Sequence, residues 1–430
     1  MNSLKIRFEK MGIHIPEILL PADAEMNKWA VVACDQYSSE KNYWKETEEI
    51  VGNSPSTLNL ILPECYLEDD DKKDRVQKIN STMKSYMKEN VFRKLDRGFI
   101  IVDRSTPYVE SRQGMILAVD LEKYSFSKDT KSLIRPTEGT VLERLPPRIE
   151  IRKNAPLDIP HILLLINDRE KSIIENAFID SDSFETVYDF DLMQGGGHVK
   201  GKLISDESYL EKICTAFEKL FENNDMLFAV GDGNHSLATA KEIWEKLKSE
   251  GAPEDHPARF ALVEVENIFN EGIIFEPIHR VLFDIDRQDF FEKLKTVYEC
   301  EIRTVSSEAV MKDKVSENTR EHRIGYVSDD EVGYISIKEP AIKLTYEVIQ
   351  KFIDDYREDN TQVNIDYIHG EKALYDLSRR KGNLGLYLNA IKKSEFFDMI
   401  VAGGALPRKT FSIGEAEEKR YYIESRSLIS

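Results

Sequence analysis

The sequence predicts a mixed α+β fold, and two observations lead to that prediction. Short apolar runs of strand length recur along the 430 residues, for example at 226–230 and 161–167. Between them lie stretches with apolar residues at helical spacing, of which 208–221 is the clearest. We therefore expect mixed sheets covered by helices, with a smaller α+β unit at the C-terminal end.

Composition narrows the class of partner. Lys and Arg number 59 against 78 Asp and Glu, which gives a formal net charge of −19. A chain this acidic is expected to be a poor general nucleic-acid binder, because neutralising phosphates needs a basic face, although local basic spots could still bind a nucleotide. The apolar run at 162–166 is far too short to cross a membrane. We expect a small-molecule ligand and neither nucleic acid nor membrane as partner, and the oligomeric state is left open.

Cysteine usage indicates a reducing compartment. The four cysteines lie far apart and form no CxxC pair: Cys34, Cys65, Cys214 and Cys300. This spacing argues against a structural zinc site and against a disulfide framework. The protein is therefore predicted to be cytoplasmic.

Taken in order, the N-terminal part predicts alternating strands and helices. Residues 29–34 form a buried strand candidate that ends at Asp35 and Gln36, and these are second-rank site candidates with helix capping as the alternative. A helix is expected at 75–87, followed by a strand pair. From Cys300 the pattern changes to strands that flank a charged helix. The predicted division is 1–205, a core region at 206–298, and a C-terminal α+β unit at 299–430.

The stretch 132–152 gathers four arginines in an acidic chain: Arg135, Arg144, Arg148 and Arg152. The planar fork of arginine donors suits phosphate or carboxylate. Arg135, with Thr137 as a nearby hydroxyl donor, is the favoured ligand contact. The alternative is a surface loop whose arginines pair with the chain's many carboxylates.

The central motif is a strand, a glycine-flanked turn and the start of a helix. The turn reads Gly231-Asp232-Gly233-Asn234-His235-Ser236. The glycines permit unusual backbone angles and close approach, and the helix start supplies an anion site. Asp232 could hold a metal ion or act as a base, and His235 could move a proton or contact phosphate. The alternative is turn chemistry, in which Asp232 or Asn234 only caps the helix.

Two further segments offer anion contacts. His279 and Arg280 follow a predicted strand, where they could bind phosphate or act as a buried pairing partner. Arg408 and Lys409 lie in a proline-started loop, which could contact an anion or simply be exposed.

The chain resembles a prokaryotic family known only as a domain of unknown function (number ten-fifteen). The resemblance rests on the central turn, on Glu276-Pro277-Ile278-His279-Arg280, and on Pro407-Arg408-Lys409-Thr410. It extends from about Pro16 to the C-terminus. It names a family without naming a reaction.

The family's core motif, commonly Asp-Gly-His-His-Arg, is similar to the helix-start motif of the ParB/sulfiredoxin superfamily, where it binds nucleotide phosphate. That superfamily includes nucleotidases, sulfiredoxins and free-serine kinases. The resemblance implies a ParB/sulfiredoxin-like strand–Gly-Asp-Gly–helix core. Asp232, Gly233 and His235 match the motif. Asn234 stands where the first histidine is common, and Ser236 replaces the arginine.

Together these features predict a phosphotransferase that uses Mg²⁺ and a nucleotide, ATP or ADP, and acts on a small hydroxyl metabolite. Asp232 would bind the metal or activate the acceptor, and His235 with the N–H groups near Gly233 would hold phosphate. Arg135 or Arg280 would balance the transferring charge. The alternatives are a phosphate-ester hydrolase and a nucleotide- or metabolite-binding protein without turnover. Partition-type DNA binding is disfavoured by the acidic charge.

Overall fold

The computed structural model describes residues 2–127, 130–140, 145–222, 224–317, 319–338, 344–407 and 409–429. The chain divides into two compact units. Unit 1 comprises Met1–Ile274, Phe397–Leu406 and Gly414–Ser430, and unit 2 comprises Phe275–Phe396 and Pro407–Ile413.

The helices in the described residues are α1 Asn2–Lys10, α2 Met26–Trp29, α3 Lys41–Val51, α4 Lys72–Lys88, α5 Leu145–Arg152, α6 Ile174–Ile179, α7 Glu207–Glu222, α8 Asn234–Ser249, α9 Arg287–Val297, α10 Glu308–Ser316, α11 Thr345–Asp359, α12 Glu371–Ser378 and α13 Lys393–Gly403. The strands are β1 Ile13–His14, β2 Leu19–Pro21, β3 Val31–Val32, β4 Phe92–Lys94, β5 Phe99–Ser105, β6 Arg112–Asp120, β7 Ile134–Pro136, β8 Leu157–Asp158, β9 Leu163–Ile166, β10 Glu185–Asp191, β11 His198–Ile204, β12 Phe228–Asp232, β13 Phe260–Asn267, β14 Phe275–Phe283, β15 Cys300–Thr304, β16 His322–Val327, β17 Val332–Ile337, β18 Asn364–His369, β19 Leu384–Tyr387, β20 Phe411–Ile413, β21 Tyr421–Tyr422 and β22 Arg426–Ser427.

Unit 1 is organised around a mixed sheet. Its strand order is β10-β11-β5-β6-β13-β9-β12-β7, with β1 paired to β6. The central strands are apolar on both faces, and both faces are covered, which explains why they read as continuous apolar runs. One face packs against a cluster that includes α7 and α8, and the other contributes to a second cluster with residues near both chain ends.

The C-terminal segment returns to unit 1. Strand β21 pairs with β3, and β22 pairs with β8. Its Arg420 is buried against Glu264 of β13 and Glu424. Nearby on the sheet, Arg112 bonds Glu266 through two oxygens, at 2.7 and 3.0 Å. Because each of these buried charges has a partner of opposite charge, the free-energy cost of removing them from water is reduced.

Unit 2 contains its own sheet, of order β15-β17-β16-β19-β14-β18, with β20 paired to β14. A core cluster that includes Val281, Met311 and Leu374 packs on it. Helix α11 begins after Leu344 and buries an apolar stripe that includes Phe352 and Ile353.

The mixed α+β prediction is confirmed, since both units combine mixed sheets with helices. The expected strands at 161–167 and 226–230 correspond to β9 and β12, and the expected helix at 208–221 is α7. The three-part division at 205 and 298 stays a prediction. Within the described residues, no helix has both the length and the apolarity needed to pass through a bilayer.

Candidate active site

The central motif forms the end of β12 and the start of α8. Strand β12 lies between β7, to which it is parallel, and β9, to which it is antiparallel. The register with β9 shifts between Val230 and Asp232, which places Gly231 at an irregularity of the strand. The strand therefore ends with Asp232 turned toward the helix that follows.

Gly233 makes the sharp entry into α8. Its φ is +79°, a left-handed conformation that favours glycine. A Cβ at this position would lie 3.1 Å from the Cα of Ile162, which is closer than an ordinary van der Waals contact, so the backbone of Ile162 would have to shift. Helix α8 is 16 residues long, and its first turn supplies N–H groups that lack intrahelical acceptors. Such a helix start favours an anion.

The Asp232 carboxylate is fixed by two donors. Its Oδ1 accepts the backbone N–H of Gly233 at 2.8 Å, and its Oδ2 lies 3.0 Å from the Lys419 ammonium. Burial by itself raises the pKa of Asp232, but the Lys419 cation and the nearby His161 outweigh burial and lower that pKa overall. Asp232 is therefore a carboxylate at neutral pH, held beside a cation.

His161 connects the start of α8 to the C-terminal segment. Its Nε2 lies 3.1 Å from the Ser236 hydroxyl, and its Nδ1 lies 2.8 Å from the Tyr422 hydroxyl. The Oδ2 of Asp35 is 3.7 Å from Nε2. A histidine held at one nitrogen and facing a hydroxyl at the other has the arrangement of an acid–base pair.

Tyr422 is itself held in place. Its hydroxyl accepts the backbone N–H of Cys34 at 3.3 Å, and burial raises the pKa of the phenol well above its ordinary value. Burial, with a smaller effect of Asp35, also raises the pKa of the Cys34 thiol to about 12. Cys34 is thus a protonated thiol at neutral pH, a state that disfavours attack by its sulfur.

We call this arrangement the turn site. It consists of side chains from four separate stretches of unit 1 together with the N-terminus of α8: Asp35, His161, Asp232, Ser236, Lys419 and Tyr422. Beside it, the buried Oδ1 of Asn234 has no hydrogen-bond partner. An unpaired buried acceptor is unusual in a native protein, and a ligand hydroxyl would satisfy it.

The predicted residues of the turn, from Gly231 to Ser236, lie together as expected from their sequence. The Thr137 hydroxyl donates to the Val230 carbonyl at 2.6 Å, so Thr137 supports the end of β12. Arg135 is buried, and its guanidinium donates to the carbonyls of Ser132 and Asp225. Because Asp225 precedes β12, these bonds direct Arg135 toward the beginning of the strand, and the structure does not bring Arg135 to the turn.

The remaining predicted contacts belong to unit 2 or lie outside the described residues. His279 and Arg280 are buried on β14, and Lys409 is exposed with φ of +58°. Arg144 and Arg408 lie outside the described residues. A role of His279, Arg280 and Lys409 in binding phosphate stays a prediction.

Sequence reasoning missed three of the residues in the turn site. The predicted strand at 161–167 contains His161 only as a strand residue. The available signal for a site residue is that a single polar side chain follows Pro160 and directly precedes an apolar run. Lys419 and Tyr422 gave none, because their role depends on where the C-terminal segment returns in space.

No group of three or more His, Cys, Asp or Glu side chains suited to a metal ion occurs within the part of the chain that the structure describes. Mg²⁺, however, is usually bound by one or two carboxylates together with substrate phosphates. Asp232 and Asp35 are oxygen donors of the type that Mg²⁺ prefers.

Several solved structures are similar to the chain at low identity. A mutant free serine kinase in complex with AMP shares 13% identity over 73% of this chain and 92% of that chain, with a TM-score of 0.41. A conserved hypothetical protein from Pyrococcus furiosus shares 13% over 73% and 95%, with a TM-score of 0.36. SbnI from Staphylococcus aureus, with a C-terminal truncation, shares 11% over 70% and 82%, with a TM-score of 0.35.

No curated protein sequence matches the chain significantly. Residues 18–356 match the family described as "Protein of unknown function (DUF1015)". That match covers most of the chain and includes the central turn and the Glu276–Arg280 segment. The chain belongs to the DUF1015 family.

Proposed function

We propose that the protein is a nucleotide- and Mg²⁺-dependent phosphotransferase that acts on a small hydroxyl metabolite at the turn site. The observation that carries the proposal is the meeting of the Asp232 carboxylate and the Lys419 ammonium at the N-terminus of α8. Phosphoryl transfer depends mainly on positioning and on neutralising charge. A carboxylate, a cation and a helix start supply those functions.

In this proposal the groups of the turn site bind phosphate, contact the acceptor hydroxyl, hold Mg²⁺ or move a proton, and Asp232 takes part in two of these tasks. The N–H groups of the first turn of α8 and the Lys419 ammonium bind phosphate oxygens. Asp232, ionised and oriented by Gly233, accepts a hydrogen bond from the acceptor hydroxyl. His161 takes up or returns a proton through its Nε2, and Tyr422 fixes its ring.

Mg²⁺ would be held by Asp232, with Asp35 as the second carboxylate of the turn site and nucleotide phosphates as further ligands. When bound, it would neutralise charge on the transferring phosphoryl group. The binding of nucleotide should therefore be stronger with Mg²⁺ than without it.

The first test is thermal unfolding with ATP, ADP, AMP and inorganic phosphate, each with and without Mg²⁺. A ligand at about 100 times its dissociation constant stabilises the folded protein by about 2.7 kcal/mol, a readily measured rise in melting temperature. We expect a Mg²⁺-dependent rise that Asp232→Asn abolishes. Glu250→Gln, the same change of charge at the exposed far end of α8, should leave the rise intact.

A second test separates the reaction classes. The protein is incubated with ATP or ADP, Mg²⁺ and a mixture of hydroxyl metabolites, and products are followed by phosphorus NMR and mass spectrometry. A phosphorylated metabolite supports the proposal. Release of inorganic phosphate alone would indicate a hydrolase, and bound nucleotide without turnover would indicate a binding protein. No stabilisation by any nucleotide would refute the proposal.

A further inference from the structure

Arg280 of unit 2 is buried, and within the described part of the chain it has no counter-ion. It lies on β14 and is fully shielded from solvent. Its guanidinium carbon lies 5.4 Å from the ring centre of Tyr346 and 5.3 Å from that of Tyr367. Two aromatic rings thus cover the cation, and no carboxylate in the described residues forms an ion pair with it.

Within the described residues, Arg104 and Arg135 are also buried without an ion pair, but each donates to two or more backbone carbonyls. Arg112 pairs with Glu266, and Arg420 pairs with Glu264 and Glu424. Arg280 instead donates through Nη1 to the carbonyl of Ile278, and its buried Nη2 has no hydrogen-bond partner. An uncompensated buried charge with an unmade bond is costly, and cation–π contacts offset only part of that cost.

The unpaired nitrogen lies on one edge of the guanidinium together with Nε. The Nε–H group donates a hydrogen bond to the amide oxygen of Gln350 at 3.2 Å. This is a long hydrogen bond, and its acceptor is a neutral group. Gln350 and Tyr367 are both only half-buried, so the side chains that cover this edge have access to solvent. Rotation of Gln350 would free Nε beside the already unpaired Nη2.

We propose that the Nε–Nη2 edge of Arg280 is a binding site for a small monocarboxylate, which enters when the Gln350 side chain turns outward. The two nitrogens match the two oxygens of a carboxylate, which is the side-on form of the arginine–carboxylate fork. The carboxylate would satisfy Nη2 and replace a neutral acceptor at Nε with a charged one. The site belongs to unit 2 and is separate from the function proposed for the turn site.

The charge balance favours a monocarboxylate over phosphate. Burial lowers the pKa of Arg280 to about 10, so the side chain remains a single cation at neutral pH. One carboxylate neutralises it, whereas a dianionic phosphate would leave a buried net negative charge. Asp354, which is exposed and accepts a hydrogen bond from the Gln350 amide nitrogen, adds a further negative charge near this edge of the guanidinium.

The test is a titration of the full-length protein with propionate, benzoate, inorganic phosphate and chloride at constant ionic strength, followed by calorimetry and thermal unfolding. We expect the carboxylates to bind and to raise the melting temperature, with phosphate and chloride weaker. Arg280→Met should abolish this effect. Arg287→Met removes an arginine of unit 2 that is already paired with Asp330, and it should preserve the effect.

Gln350→Ala provides a second measurement that does not depend on replacing Arg280. It removes the competing amide, so carboxylate affinity should rise about fivefold, the equivalent of one net hydrogen bond. Unchanged or weaker affinity in Gln350→Ala would overturn the assignment of this edge. Equal binding to Arg280→Met, tighter binding of phosphate than of carboxylate, or no carboxylate binding to the wild type would each overturn the proposal.

The result is independent of the proposed function. No nucleotide is present in the titration, so carboxylate binding can fail while nucleotide binding at the turn site succeeds, and the reverse. A nucleotide-dependent rise in melting temperature with no carboxylate effect would therefore reject only the Arg280 site.

Discussion

The Lys419 ammonium lies 3.0 Å from Oδ2 of Asp232, and both side chains are partly exposed. Lys419 comes from the C-terminal segment, whereas Asp232 ends a central strand of the sheet. The pair therefore joins two distant parts of the sequence at the start of α8. Because Lys419 also lowers the pKa of Asp232, it sets the charge state of the carboxylate as well as supplying a cation.

We expect Lys419→Met to weaken nucleotide binding by roughly 10- to 100-fold, because a charge-assisted hydrogen bond to phosphate contributes on the order of 1.5–3 kcal/mol. The measurement is calorimetric titration with ADP and Mg²⁺. Lys246→Met, which removes a cation from the far end of the same helix, should bind as the wild type does. Equal affinity in both variants would show that Lys419 does not contact the nucleotide.

His161→Asn should slow phosphoryl transfer with little change in nucleotide affinity. Loss of a general acid or base typically reduces a rate by roughly 10²- to 10⁴-fold. The experiment compares kcat and KM over a range of pH, with His198→Asn as a control at an exposed histidine of unit 1. A change confined to KM, or none at all, would remove His161 from the proton transfer.

Gly233→Ala should destabilise unit 1 by about 1–3 kcal/mol. The left-handed backbone is unfavourable for alanine, and the added Cβ would press on the backbone of Ile162. Urea unfolding measures the effect. Gly139→Ala is the matched control, because a Cβ there meets no atom within 4 Å and its φ is not positive. Similar midpoints for the two variants would contradict the strain at Gly233.

Unfolding should become easier as the pH falls, through His279. Burial, reinforced by Arg280, lowers the pKa of folded His279 from 6.5 to about 4. Between these values the unfolded chain binds the proton and the folded chain does not. The contribution of His279 to the free energy of unfolding is therefore fully present above about pH 6.5. As the pH falls to 4, the free energy of unfolding decreases by on the order of 3 kcal/mol.

Urea unfolding across this pH range checks the linkage. His279→Asn keeps an acceptor for the N–H of Leu388, which now bonds Nδ1 at 3.2 Å, but does not titrate. Its stability should therefore depend less steeply on pH than that of the wild type. Parallel pH dependences would mean that His279 titrates normally in the folded protein.

The Arg112–Glu266 pair should show strong coupling. Burial raises the pKa of Glu266 while Arg112 opposes that rise, so either side chain alone would be poorly solvated. Arg112→Met and Glu266→Leu should each lower the free energy of unfolding by about 3–5 kcal/mol. The double variant should cost clearly less than the sum of the two. Additive losses in urea unfolding would show that the pair is not a unit.

Local signals in the sequence were enough for the elements around the turn. The apolar run before Gly231, the two glycines and the helical spacing that follows predicted β12, the turn and α8. These features depend on neighbours within a few residues, which is why they can be predicted without knowledge of the fold.

The partners of the turn could not be predicted in the same way. The chemistry of Arg135 favours an anion contact, but its position beside Ala229 in the parallel strand pair directs its donors to the carbonyls of Ser132 and Asp225. Lys419 reaches Asp232 only because the C-terminal segment pairs with β3, a contact between distant parts of the chain. Composition and periodicity contain no information about such long-range pairing.

Unit 1 is assembled from three separate stretches of chain, of which the last, Gly414–Ser430, carries Lys419 and Tyr422. In the order of translation, Lys419 and Tyr422 therefore come after Asp232, His161 and every residue of unit 2. A nascent chain can form most of the large sheet while its carboxylate still lacks a counter-cation. Under the proposed function, the turn site is complete only after Gly414–Ser430 has been translated, and a product of premature termination within that stretch is expected to be inactive.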